Sequence, residues 1–137
     1  MSKKTAIILM FFILGIVLIF HFLILTEQIP YDRVWAGKLK SIEEMKAFEA
    51  FSIILNFFML TVLYIKYRQL LKGINNKAVN ILIWIFAGIF ALNSVGNLFA
   101  ESMIELILGT AFTLTSSILC FIIVKKEKTK AKAPNDV

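Results

Sequence analysis

The sequence predicts an all-α fold, a polytopic membrane protein built as an antiparallel bundle of four transmembrane helices. Two observations lead to this prediction. Hydrophobic residues make up 59% of the 137 residues, whereas a soluble domain has about 45–50%. The chain also contains four apolar runs, each close to the roughly 20 residues that a helix needs to cross a bilayer. Its length suits one domain.

The four predicted spans cover residues 5–25, 47–65, 78–99 and 103–124, within a single domain of residues 1–124. Glu49 is the only charged residue in the second span, and Glu105 is the only one in the fourth. The first run follows two lysines, but it is too long for a typical signal-peptide core and lacks a small-residue cleavage site. We therefore expect it to be a span.

Sequence signals mark where several helices begin and end. Ser41 and Glu44 have capping-box spacing, which puts the start of helix 2 near residue 42. Gly73 can end that helix near residue 71, and Asn75 and Asn76 are possible caps for helix 3. Ser102 and Glu105 repeat the capping-box spacing before helix 4, and the short link there predicts a tight hairpin of helices 3 and 4.

The distribution of Lys and Arg predicts the orientation. Eleven of them flank the spans on the side of the two termini, and four lie in the first loop. Basic residues are retained on the cytoplasmic side, so we expect cytoplasmic termini and an external segment 26–46. The basic tail, residues 125–137, is predicted to be disordered and to contact anionic lipid headgroups. Topology accounts for the net charge of +6, so no nucleic-acid partner is expected.

Polar residues inside the spans are concentrated in the outer half of the predicted bundle. Because such residues cost free energy in lipid, they tend to face other helices or a wet cavity. Two interpretations remain open: hydrogen bonds between helices, or an outward-facing pocket that binds a ligand. The candidate binding residues are His21, Arg33, Trp35, Lys38, Glu49, Ser52, Asn56, Asn93, Asn97 and Glu101. No spacing typical of metal ligands or catalytic motifs occurs, so no catalytic residue, metal site or cofactor is predicted.

Residues 29–41, with the sequence IPYDRVWAGKLKS, are predicted to form an ordered lid over the outer end of the bundle. Pro30 restricts the backbone, and Gly37 allows a turn that a side chain would hinder. Arg33 and Lys38 are expected to reach Glu49 and Glu101. The alternative is that Tyr31 and Trp35 only anchor a loop to lipid headgroups.

Helix 4 carries a row of small residues, Gly109, Thr113 and Ser117, at intervals of four. Such rows let another helix approach closely. Ala87, Gly88 and Ala91 on helix 3 are the expected partners, although the row also suits a homodimer.

Two segments, IPYDRVWAGKLKSIEEMKAFEAFS and ALNSVGNLFAESMIELILGT, resemble an uncharacterised group of small four-helix bacterial integral membrane proteins with no known activity. The resemblance covers about residues 20–115 and implies a bacterial inner-membrane protein. Members of the group often carry W-G-G-R where this chain has Trp35-Ala-Gly-Lys38. That departure removes an arginine able to make bidentate contacts.

Three functions are compatible with the sequence. The first is a small membrane accessory or scaffold protein that binds a membrane-protein partner, a lipid or a small solute. The second is a subunit of an oligomeric transporter or channel, because a bundle of this size has little room for a pore by itself. The third is a small membrane enzyme acting on a lipid-like substrate, with Glu49 as acid or base.

Overall fold

The computed structural model describes residues 1–126, which form four helices and no strand. Helices α1, α2 and α3 cover Lys3–Leu25, Ile42–Leu71 and Lys77–Asn97, and α4 covers Thr110–Val124 after a π-helical turn at Glu105–Gly109. Counting that turn with α4, all four are long and apolar enough to cross a membrane. Residues 127–137, most of the predicted disordered tail, lie outside the described residues.

Neighbouring helices run antiparallel, as three contacts show. A contact between His21 and Glu49 joins the end of α1 to the start of α2. Lys66 near the end of α2 bonds Asn80 near the start of α3, and Asn97 at the end of α3 bonds Thr113 near the start of α4. Since α1 also packs on α4, the helices close a ring. We call the end that carries residues 29–41 the lid end, and the end with both termini of the bundle the basic end.

The hydrophobic core receives side chains from all four helices, among them Met10, Met59, Ile83 and Cys120. Cys120 is fully buried, in keeping with its apolar surroundings in the sequence. The core therefore occupies the centre of the bundle and the end toward the termini, whereas the lid end contains polar groups.

The ends of α2 and the start of α3 follow the sequence signals. Ser41 Oγ accepts the Glu44 N–H at 3.1 Å, but the Glu44 carboxylate accepts the N–H of Lys40 and not that of Ser41. Gly73 follows α2 with a φ of +66°, and the Ile74 N–H bonds the Gln69 carbonyl at 2.9 Å. This pair of features is a Schellman motif, in which glycine takes the left-handed position without steric cost.

Helices α3 and α4 pack closely along the predicted small-residue row. The Ser117 hydroxyl donates to the Ala87 carbonyl at 2.9 Å, and a Cβ at Gly109 would lie 2.9 Å from Asn97 Nδ2. The row therefore serves this internal contact, as expected. An open groove on the bundle surface runs beside this contact, and Ala87, Gly88, Ala91 and Ser117 all line it.

Candidate functional site at the lid end

The lid, residues 29–41, is folded and has a small hydrophobic core of its own. It contains two 3-10 turns, Tyr31–Arg33 and Trp35–Gly37. Its buried residues Val34 and Leu39 pack with Ile24 of α1 and Met45 of α2, and Tyr31 and Trp35 pack against this group. Apolar contacts thus hold the lid against the first two helices.

Beneath the lid lies the carboxylate of Glu49, which is fully buried. Its Oε2 lies 2.6 Å from Nδ1 of His21, and its Oε1 accepts the indole N–H of Trp35 at 2.7 Å. A buried carboxylate is tolerated when hydrogen bonds satisfy it, and hydrogen bonds to ionised groups are roughly twice as strong as neutral ones. We call these three side chains the latch, because they join α1, α2 and the lid.

Trp35 is held in an unusual backbone conformation, with a φ of +54°. For a bulky residue this is a true outlier that costs about 1–2 kcal/mol. Compensating contacts surround it: its N–H donates to Glu105 Oε1 at 2.6 Å, and its ring centroid lies 5.0 Å from that of Phe48. These contacts hold the strained residue so that its indole N–H reaches Glu49.

A second carboxylate, that of Glu101, lies directly against Gly37. A Cβ built on Gly37 would lie 2.9 Å from Glu101 Oε2, and Gly37 has a φ of +66°. Glycine is therefore needed for two reasons, the left-handed backbone and the close approach. Carboxylates of α2, of the α3–α4 link and of the π-helical turn thus all meet the lid.

The prediction that Arg33 and Lys38 pair with Glu49 and Glu101 is wrong. Arg33 and Lys38 are exposed, and within residues 1–126 neither forms an ion pair. Glu49 instead contacts Nδ1 of His21 and accepts the indole N–H of Trp35. Neither partner is a lysine or an arginine, so the lid needs no buried Lys or Arg side chain to satisfy Glu49.

The remaining candidate residues do not join the latch. Ser52 is buried on α2, and the Asn56 amide donates to the Ser52 carbonyl in its own helix. Asn97 reaches Thr113 of α4 at 3.4 Å, and Asn93 is exposed. Asn97 therefore makes a hydrogen bond between helices, whereas the Asn56 amide bonds within its own helix.

Glu105 is a site residue that the predicted binding set does not include. In the structure it accepts the Trp35 N–H and begins a π-helical turn. Single π turns are frequently found at functional sites. Its position as the only charge in an apolar span was a signal that could have placed it in the site.

Through the contacts of Glu49 with His21 and Trp35, the site can hold the lid in place against α1 and α2. Among residues 1–126 no group of three or more His, Cys, Asp and Glu side chains is arranged to hold a metal ion. Two clefts on the described surface lie away from this site, at the end of α2 and between α3 and α4.

Neither protein families, nor curated proteins, nor solved structures give a significant match to this chain.

Proposed function

We propose that the protein is an integral membrane protein that crosses the bilayer four times. The exposed surface of the bundle supports this, since large apolar side chains such as Phe12, Ile54 and Leu92 are 69%, 68% and 73% exposed. A soluble monomer rarely exposes contiguous apolar surface on this scale, and lipid would cover it. The resemblance to bacterial inner-membrane proteins gives the proposed location.

In this proposal the basic end faces the cytoplasm and the lid faces outward, because eleven Lys and Arg residues flank the spans on the terminal side and four lie near the lid. Cysteine labelling tests the orientation. In a Cys120→Ala background, Lys40→Cys should react with an impermeant maleimide in intact cells, and Lys72→Cys should react only after the cells are opened. The reverse pattern would overturn the orientation.

Within the membrane, we propose an accessory function: the protein presents its lid as a fixed surface to a membrane-protein partner. This proposal rests on one observation: both carboxylate oxygens of Glu49 contact side chains of the same protein, those of His21 and Trp35. Such a carboxylate holds the lid in one conformation. A pre-organised surface loses less conformational entropy on binding, and exposed Arg33 and Lys38 suit a partner with acidic outer loops.

Site-specific photo-crosslinking in cells tests this function. A benzophenone side chain at position 38 should give a discrete protein adduct, and one at the exposed apolar position 8 serves as the control. Glu49→Leu should remove the adduct at an equal protein level, whereas Glu43→Leu, at an exposed site of the same helix, should keep it. The accessory function is wrong if positions 33 and 38 give no adduct, or if Glu49→Leu leaves it unchanged.

A second candidate, a membrane enzyme acting on a lipid-like substrate, is favoured by one observation. The 2.6 Å contact of His21 with Glu49 resembles a carboxylate–imidazole pair, in which the carboxylate orients the ring for general-base catalysis. Mass spectrometry of lipids from overexpressing cells would test it. A lipid change that appears with the unaltered chain and disappears with a folded His21→Gln variant would favour the enzyme.

A further inference from the structure

A cleft of about 400 Å³ opens at the basic end, beside the last two turns of α2. It is lined by Tyr64, Ile65, Arg68, Gln69, Lys72 and Ile74. The cleft lies at the end of the bundle away from the lid, so its chemistry is separate from that of the latch.

Helical spacing and the α2 end motif build this cleft. Tyr64, Arg68 and Lys72 follow one another at intervals of four, so they lie along one face of the helix. Arg68 Nη1 donates to the Tyr64 hydroxyl at 3.3 Å, which holds the guanidinium beside the aromatic ring. Gly73 then reverses the chain, and Ile74 is fixed by its N–H bond to the Gln69 carbonyl.

The cleft thus joins two chemically different walls. Arg68 and Lys72 are exposed cations and supply charge and hydrogen-bond donors suited to a phosphate. Ile65 and Ile74, which are 41% and 51% exposed, supply apolar surface. A ligand that contacts both walls must carry an anionic group beside a hydrocarbon part.

Gln69 adds a third requirement. Its side chain lines the cleft, but its Oε1 is buried and has no hydrogen-bond partner among the described residues. Because an unpaired buried acceptor is unfavourable, we expect the amide to rotate toward the cleft when a donor binds there. A phosphate diester offers acceptors only, so the group that pairs with this oxygen must carry a donor. A hydroxyl beside the phosphate would supply it.

We propose that this cleft binds the headgroup of an anionic phospholipid with a polyol head, of the phosphatidylglycerol type. Arg68 and Lys72 bind the phosphate, a headgroup hydroxyl donates to Gln69, and the first part of the acyl chains lies along Ile65 and Ile74. Tyr64 is suited to this depth, because its ring has an apolar body and a polar tip. The inference rests on the proposed membrane placement and is independent of the accessory function at the lid.

Lipid titration of the full chain in a neutral detergent tests the proposal, with the melting midpoint as the measurement. Phosphatidylglycerol should raise the midpoint at lower concentrations than phosphatidylcholine. The variant Arg68→Gln with Lys72→Gln should weaken the apparent affinity for phosphatidylglycerol, by roughly fivefold for each removed charge. Gln69→Leu should remove the preference for phosphatidylglycerol over phosphatidic acid, which lacks the polyol.

The matched control is Lys125→Gln with Lys126→Gln, which removes the same charge from the same end of the bundle but leaves the cleft intact. This control should keep the affinity for phosphatidylglycerol. Equal losses in both double variants, equal effects of the two phospholipids, or an equal effect of soluble glycerol phosphate would overturn the proposal. If the cleft double variant does not fold, Lys72→Gln alone should still retain less phosphatidylglycerol in native mass spectrometry.

Discussion

The indole nitrogen of Trp35 lies 2.7 Å from Oε1 of Glu49, and the second oxygen of that carboxylate lies 2.6 Å from His21 Nδ1. One buried carboxylate therefore accepts from a loop and contacts a neighbouring helix at the same time. Its removal should affect the lid and the α1–α2 contact together.

Glu49→Leu should destabilise the protein by at least about 2 kcal/mol, since each buried donor left unpaired costs roughly 1–3 kcal/mol. Glu49→Gln should cost less, because an amide can still bond both neighbours without a charge. Thermal unfolding in detergent measures the loss, and Trp35 fluorescence in a Trp84→Phe background reports the lid. Glu43→Leu is the exposed control; an equal loss there would contradict the latch.

The effects of Trp35→Phe and Glu49→Leu on the free energy of unfolding should be non-additive, with a coupling of roughly 0.5–3 kcal/mol. Each substitution removes the same hydrogen bond, the one between the Trp35 indole and Glu49. Arg33→Ala and Glu49→Leu should be additive, since the two side chains do not pair. Unfolding free energies of the singles and doubles check this. If Trp35 and Glu49 were additive while Arg33 and Glu49 were coupled, the structure's pairing would be contradicted and the predicted Arg33–Glu49 pair supported.

The same substitution should act in opposite directions at two glycines. Gly15→Ala should stabilise by about 0.5–1 kcal/mol, because nothing lies within 4 Å of the new Cβ and alanine favours the helix. Gly109→Ala should destabilise, since its Cβ would lie 2.9 Å from Asn97 Nδ2, whose bond to Thr113 would have to give way. Melting midpoints that rise equally would contradict a close α3–α4 contact there.

Glu27→Gly should stabilise the protein by roughly 0.5–1 kcal/mol. Glu27 follows α1 with a φ of +61°, a conformation that costs a residue with a Cβ about 1–2 kcal/mol. Its contact with Lys46 at 3.4 Å is about half exposed on both sides, and surface pairs of this kind contribute little. The neighbouring Gln28→Gly, as a control, should give no gain, and a gain at both positions would point to a cause other than backbone strain.

Asn80→Leu should destabilise by roughly 1.5–3 kcal/mol, the range for hydrogen bonds to charged groups. Lys66 is 2% exposed, and its Nζ donates to Asn80 Oδ1 at 2.6 Å. Adding Lys66→Met to Asn80→Leu should recover part of the lost stability, because the double variant no longer buries a lysine without its partner. Asn93→Leu, on the exposed side of α3, is the matched control in the same unfolding measurement.

Much of the helical architecture could be predicted, because lipid-length apolar runs and caps are local signals. Helix 2 begins at Ile42 and ends at Leu71, and Asn76 caps α3 through two backbone N–H groups. These features depend on a few neighbouring residues, so the sequence contains them directly.

The partners within the site could not be predicted in the same way. His21 and Glu49 are 28 residues apart, and their contact depends on how two helices are rotated toward each other. Formal charge suggested Arg33 and Lys38 as partners, yet the structure pairs Glu49 with the His21 ring and the Trp35 indole. The positive φ of Trp35 is likewise set by tertiary contacts and not by its own preference.

The lid's contacts also impose an order on biosynthesis. His21, Trp35 and Glu49 all belong to the first helical hairpin, so they can meet before the second hairpin is made. Glu105 is 70 residues beyond Trp35, which corresponds to roughly 4–14 s of translation at about 5–20 residues per second. During that interval the carboxylate of Glu49 can already contact His21 and Trp35, but the backbone N–H of Trp35 still lacks its acceptor Glu105. The strained turn is therefore completed last, when the final helix enters beside the other three.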